Sequence, residues 1–301
     1  MKSKRVISVS LGSSRRNHRA VIDLFGCRIS IERLGVDGDK KRFNQILREL
    51  DGSVDAIGLG GVDLFLRAGR YQYLIKEVAH LIQGVHRTPI VDGGILKQCW
   101  EREVPSRLVK QFGLELSGKT ALCMSGMDRY GLAEGLEKVG CQLLIADMPF
   151  ALGIPIALRR LRTLRLLSVL MMPILRRLPL DVLYPTGVKQ ERRRTRFPVY
   201  FERADIISGD FHYINRFRPP TLSGKMIITN TLTAQDVEEL RSAGARILVT
   251  TTPEIGGRSF GANVLEAIFI AILEKPPEEI TGEEYITLMK DFDLQPRVIF
   301  L

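Results

Sequence analysis

The stretch Leu116–Asp147, LSGKTALCMSGMDRYGLAEGLEKVGCQLLIAD, decides how this chain of 301 residues is read. A turn at Ser117-Gly118-Lys119 leads into an apolar run, Thr120 to Met124, with the length and composition of a buried strand. A glycine-punctuated turn follows, then a segment of helical period from Leu132 to Val139 that stops at Gly140. A second apolar run, Cys141 to Ala146, ends on Asp147. Strand, glycine turn, helix, strand and terminal carboxylate are the parts of the βαβ unit that holds a dinucleotide.

Each part has a physical task in that reading. Gly126 lets the backbone leave the strand tightly and come close to a phosphate. A helix opening near Gly131 turns unpaired N–H groups and the positive end of its dipole toward the same anion. Gly135, one turn on, lets the helix lie close against the strand. Asp147 comes 21 residues after Gly126, near the spacing of an acid that grips a ribose hydroxyl. A carboxylate there repels a 2′-phosphate, so NAD is favoured over NADP. Cofactor contacts are expected from Ser125, Gly126, Arg129, Gly131 and Asp147. The spacing departs from G-x-G-x-x-G, and Asp128 is an awkward neighbour for a diphosphate that Arg129 would have to offset. A plain α/β unit without a ligand, or an S-adenosylmethionine-dependent methyltransferase, uses the same glycine turn and terminal acid.

Composition sets the surroundings. With 45% hydrophobic and 26% charged residues, the chain supports a globular core without disulfides or metal. The four cysteines are scattered and the histidines are not clustered, so no metal site is expected and a reducing cytoplasm is the natural compartment. No apolar run approaches the length of a membrane span, and the N-terminal one is too short for a signal peptide. Net charge is +10, and between Pro155 and Arg203 twelve Lys and Arg stand against three acids. In that segment Leu158, Leu161, Leu164, Leu167 and Leu170 recur at helical spacing beside the arginines. A packed or dimer-forming helix with solvated arginines accounts for this, and so does peripheral attachment to anionic lipid. The region 155–196 is thus expected to serve self-association, as in a homodimer, or a membrane surface. No nucleic-acid motif is present, and aromatic residues there are too sparse to form a stacking platform.

Outward from the central unit, strands alternate with helices on both sides. Arg5 to Leu11 is a strand, Val21 to Phe25 and Arg28 to Leu34 form a hairpin around Gly26, and Lys40 to Leu50 is an amphipathic helix. Val54 to Leu59 is a strand, Tyr73 to Ile82 a helix, Pro89 to Val91 a strand, and Leu96 to Phe112 a linking helix. Beyond Asp147, strands are expected at Asp181 to Tyr184, Ala204 to Ser208, Met226 to Thr229 and Arg246 to Val249, with a capped helix from Ala234 to Ala243. The fold class is therefore α/β: a small N-terminal α/β domain (1–112), then a Rossmann-type doubly wound parallel sheet (113–275) with default order 3-2-1-4-5-6. The tail, 276–301, is expected to pack back on the first domain.

Ligands of open α/β sheets bind beyond the carboxyl ends of the strands, so polar residues at those positions are the candidates. Asp92, Lys97 and His212 are read as catalytic, the first two as the proton-transferring pair. Ser13, Ser14, Arg15, Arg16 and His18, with Asp63, are read as substrate-binding, because Arg offers carboxylates a fixed fork of donors. Thr186, Asn230 and Thr251 are added to the cofactor set.

Four short pieces carry a family likeness: Ser8-Val9-Ser10-Leu11-Gly12-Ser13-Ser14, Gly58-Leu59-Gly60-Gly61-Val62-Asp63-Leu64, Leu183-Tyr184-Pro185-Thr186-Gly187 and Thr251-Thr252-Pro253-Glu254. With them the whole chain resembles bacterial proteins of the quinate/shikimate 5-dehydrogenase-like kind. That resemblance implies a small catalytic domain followed by a dinucleotide domain, and a Lys and an Asp acting on the substrate. The function expected is hydride transfer between NAD and a small hydroxylated carboxylate. The alternative is a Rossmann-fold ligand-binding or membrane-surface protein without redox activity.

Overall fold

A computed structural model describes residues 2–68, 71–183, 194–230, 232–255 and 258–301. In chain order the first part comprises β1 (Lys2–Ser10), β2 (His18–Leu24), β3 (Cys27–Gly35), α1 (Lys40–Leu50), β4 (Ala56–Gly60), β5 (Phe65–Ala68), β6 (Tyr71–Leu74), α2 (Lys76–Leu81) and β7 (Ile90–Val91). Next come α3 (Gly94–Phe112), β8 (Thr120–Cys123), α4 (Tyr130–Lys138), β9 (Gln142–Ile145), α5 (Leu161–Leu175), α6 (Leu180–Leu183) and α7 (Pro198–Arg203). The chain closes with β10 (Ile206–Ser208), α8 (Phe211–Phe217), β11 (Met226–Thr229), α9 (Ala234–Ser242), β12 (Ile247–Thr250), β13 (Glu254–Ile255), β14 (Arg258–Ser259), α10 (Ala262–Leu273), α11 (Gly282–Asp291) and β15 (Arg297–Phe300).

The expected α/β class with two largely parallel sheets is what the chain forms. The first sheet runs β2-β3-β1-β4-β7 and is parallel apart from the β2–β3 hairpin. The amphipathic helix α1 buries Phe43, Ile46, Leu47 and Leu50, whose i, i+3, i+4, i+7 spacing puts them on one face. Asp39 caps it, accepting from the N–H groups of Lys41 and Arg42. The segment expected as one helix, Tyr73 to Ile82, is instead the end of a β5–β6 hairpin followed by the short α2. Alternating Tyr71, Gln72, Tyr73 and Leu74 suit a strand, which the helical count missed.

The second sheet runs β9-β8-β10-β11-β12-β15, parallel except for β15. Among the described residues the order 3-2-1-4-5-6 is not reached, because Asp181 to Leu183 is helical and supplies no strand, and Tyr184 lies outside them. Leu180–Leu183 is helical, and Leu180 and Met172 are buried with the first domain's core. Among the described residues, the position beside β9 is occupied only by an isolated antiparallel bridge between Ile145 and Leu158. The chain still reverses direction of sheet growth between β8 and β10, which leaves a switch point at their carboxyl ends.

Three connections tie the halves together. The helix expected as a linker, α3, packs along α4, and its Trp100 Nε1 donates to the Thr251 carbonyl at 2.7 Å. The last long helix, α10, was assigned to the 113–275 unit, but it packs on β1, β4 and β7 of the first sheet. Gly58 and Gly93 make room for it: a side chain at either would strike the Asn263 backbone. The tail packs back on the first domain only in part. Its α11 lies against α3, and β15 pairs with β12 in the second sheet rather than ending on the first domain.

Candidate functional site

The carboxyl ends of both sheets open onto one cleft of about 430 Å³, within the range of small-molecule pockets. From the first sheet it is lined by Ser8 and Ser10 of β1, Gly60 at the end of β4 with Gly61 after it, and Asp92 after β7. From the second it is lined by Ser125 after β8, Asp147 after β9, Asp210 after β10 and Asn230 after β11. Parallel strands end on the same side, so two facing parallel sheets bring polar strand ends together without any one element being unusual.

At the centre stands Lys97, in the first turns of α3. Its Nζ lies 2.6 Å from Asp63 Oδ1 and 2.8 Å from Asp128 Oδ1. Burial alone would lower the lysine, but Asp128 and Asp63 hold it well above the usual range, so it stays charged. The two acids are driven apart. Burial pushes Asp63 up against the pull of Lys97, whereas Lys97 and Arg129 overcome burial and hold Asp128 down at about 2. The two carboxylates thus share one cation and are shifted in opposite directions.

The opposite wall is cationic. Arg16 reaches across the cleft from the turn after β1: its Nη2 pairs with Asp236 Oδ2 at 2.8 Å and its Nη1 meets the His212 ring. Burial lowers the His212 pKa, Asp210 opposing that and Arg16 adding to it. Arg33 lines the same wall, donating to Ser10 Oγ and the Ser13 carbonyl, each at 3.0 Å. Between the two ends, Asp210 caps α8 and takes the Asn230 amide at 2.8 Å. Burial would raise its carboxyl, and His212 and Arg129 more than offset that.

Residues 95–301 match the family model described as Domain of unknown function (DUF8754), and residues 5–92 match Domain of unknown function (DUF8753). The chain belongs to the DUF8754 family. No curated protein matches it in sequence. In structure it is similar to hetero-hexameric glutamate dehydrogenase from Thermus thermophilus (leucine-bound), at 13% identity and TM-score 0.44, over 97% of this chain and 74% of that one. A putative malic enzyme gives 14% identity and TM-score 0.31 over 81% and 65% of the two chains. An ABC transporter solute-binding protein from Agrobacterium vitis, with α-D-tagatopyranose bound, gives 9% and 0.36 over 99% and 94%. Scores this low span oxidoreductases and sugar binders alike and discriminate neither chemistry.

Within the DUF8754 region the glycine turn does something other than the expected. Gly126 N–H donates to Asp147 Oδ2 and Met127 N–H to Asp147 Oδ1, both at 2.9 Å. The turn's donors therefore meet the terminal acid, where a diphosphate was expected. Burial, working against those same N–H groups, pushes Asp147 up to about 6. Gly131 and Gly135 face α3, and a Cβ on either would run into the carbonyls of Lys97 and Gln98 or of Arg102. Their smallness serves a close helix crossing, not a phosphate and not the strand. Arg129 is buried, paired with Glu101 and 3.7 Å from Asp210. Asp147 lines the cleft at the end of β9, where a ribose hydroxyl was expected, with each of its oxygens already accepting one N–H of the turn, and the turn departs from the usual pattern at the diphosphate.

The remaining expectations divide. Asp92 and Lys97 are not a pair: Asp92 accepts from the N–H groups of Leu64, Phe65 and Gly94 and from Arg67. Burial would raise its carboxyl, but Arg67 beside it holds it low. It is a structural anchor, and Asp63, expected only to bind substrate, is the lysine's partner. Ser13, Arg16 and His18 line the cleft; Ser14 and Arg15 do not, Ser14 N–H turning to Asp37. Thr251 is fully buried, its hydroxyl donating to Glu101 at 3.0 Å, so it locks α3 to the second sheet away from the cleft. Thr186 lies outside the described residues. Arg33, Arg67, Asp128 and Asp210 went unassigned as site residues. Ser8 and Ser10, spaced two apart at a strand end and so on one face, were a legible signal.

Among the described residues no cluster of three His, Cys, Asp or Glu could hold a metal ion. All four cysteines are free thiols. No helix among those residues is long and apolar enough to cross a membrane.

Proposed function

We propose that the chain is a cytoplasmic oxidoreductase that transfers a hydride between a nicotinamide cofactor, NAD before NADP, and a small hydroxylated carboxylate. The observation that carries this reading is Lys97 held between Asp63 and Asp128 at the floor of a cleft between two parallel sheets. The resemblance to quinate/shikimate 5-dehydrogenase-like proteins, with a Lys and an Asp acting on substrate, supports it.

In that reaction Lys97 donates a hydrogen bond to the substrate's reacting oxygen and, remaining charged, stabilises the alkoxide as it forms. Asp63, whose pKa is raised, takes the hydroxyl proton during oxidation and returns it during reduction. Arg16 and Arg33 on the facing wall meet the substrate carboxylate. The nicotinamide supplies only the hydride chemistry. Asp147 holds the ribose.

The donation of Gly126 and Met127 N–H to Asp147 favours a second reading, in which the same cleft binds an anionic small molecule without redox chemistry. Calorimetric titration with NAD, NADP and S-adenosylmethionine separates the two. Saturable binding of a nicotinamide cofactor, with cofactor reduction on adding cyclic hydroxy acids, is the expected result. Lys97→Met should then lower turnover by roughly 10²–10³-fold with cofactor affinity kept. Silence with all three ligands removes the oxidoreductase reading, and binding of S-adenosylmethionine alone replaces it with methyl transfer.

A further inference from the structure

The helix α5 is apolar on two opposite sides. Its inner side, Leu161, Leu164, Ser168 and Met172, is buried. Its outer side carries Leu166, Leu170 and Ile174, which are 71%, 69% and 59% exposed. Residues four apart stack on one helix face, so these three make a solvent-facing stripe about 12 Å long. Leu152 and Ile156 on the approach to α5, and Val182 in α6, are exposed as well. From Met148 to Leu180 the chain has six arginines and no acid, and Arg159, Arg160, Arg162, Arg165 and Arg177 are exposed.

We propose that the outer face of α5 is a docking surface for an anionic lipid bilayer. Large apolar side chains one turn apart bury themselves at the boundary between headgroups and acyl chains, while long arginines reach back to the phosphates. Charge complementarity selects this occupant. A second copy of the chain would set arginines against arginines with no acid in the segment to meet them. A nucleic acid would use the arginines and leave the leucine stripe in water. Docking also gives the cleft an address: Ala151 and Leu183 line it, each next to an exposed apolar neighbour, so one wall of the cleft would stand at the membrane.

Flotation of the whole chain with vesicles of phosphatidylcholine alone, and with vesicles of equal parts phosphatidylcholine and phosphatidylglycerol, tests this. The chain should float with the anionic vesicles only, and less as salt is raised. Arg162→Gln with Arg165→Gln should weaken partition about fivefold per charge removed. Leu166→Gln with Leu170→Gln should abolish it at unchanged melting temperature, since neither leucine is packed. No flotation, equal flotation with neutral vesicles, or anionic flotation that survives both pairs of substitutions overturns the proposal. A dimer in sedimentation velocity that the leucine pair abolishes, without vesicle binding, assigns the face to a second copy instead.

Discussion

Gly131 and Gly135 stand one helical turn apart on α4, and each faces a backbone carbonyl of α3 where a methyl group would otherwise stand. Backbone, unlike the far end of a side chain, yields little. Gly131→Ala should therefore destabilise the fold by about 1–3 kcal/mol in denaturant unfolding, although alanine is the better helix former. Stability equal to or above that of the parent would show that α3 can shift. Both glycines were visible as small residues in a helix, but a one-dimensional pattern does not say what they lie against. Asp147 shows the same limit. Its distance from Gly126 in sequence predicts closeness, and it is close, but its acceptors are taken by the turn's own N–H groups. Asp63 and Lys97 lie on separate elements, and the ion pair that joins them is invisible to local spacing.

At the scale of the element, α10 is the helix whose identity depends most on its neighbours. It is apolar nearly all round and packs on the first sheet, with Glu266 buried and accepting from Leu96 N–H at the start of α3. Burial, with Asp92 nearby, pushes Glu266 up from 4.5 to about 8. A carboxyl with a raised folded-state pKa keeps its proton in the fold after the unfolded chain has lost it. The unfolded state is thus favoured progressively as pH rises from 4.5 toward about 8, and stability falls across that window. Glu266→Gln, which cannot ionise and still accepts from Leu96 N–H, should match the parent at about pH 5 and exceed it at about pH 9 in denaturant midpoint. Parallel pH profiles for the two proteins would show that Glu266 is not titrating in this way. Short elements were the ones misread: Leu180–Leu183 and the β5–β6 hairpin are too brief for periodicity to separate helix from strand. Long ones, such as α1 and the βαβ core, were legible because several residues report the same period.

For the whole molecule, the arrangement that matters is two sheets facing one cleft, with Arg16 crossing it to Asp236 and His212. The pair bridges the two sides of the cleft, so its effect is on closure. Arg16→Ala should speed amide hydrogen exchange in residues 13–18 and at the start of α9, with the unfolding midpoint almost unchanged. Unchanged exchange in both segments would mean that α3, α10 and the tail hold the domains without Arg16. The sequence by itself determined the α/β class, the central βαβ unit, the hairpin around Gly26, and the strand ends where polar residues gather. These are local properties, written in period, turn chemistry and capping. Only the tertiary structure decided that α10 and α3 exchange sheets, that β15 closes the second sheet, and that Asp63 rather than Asp92 is the partner of Lys97. Those depend on contacts between residues far apart in the chain, where burial and the choice of ion-pair partner are set by packing that no short window of sequence contains.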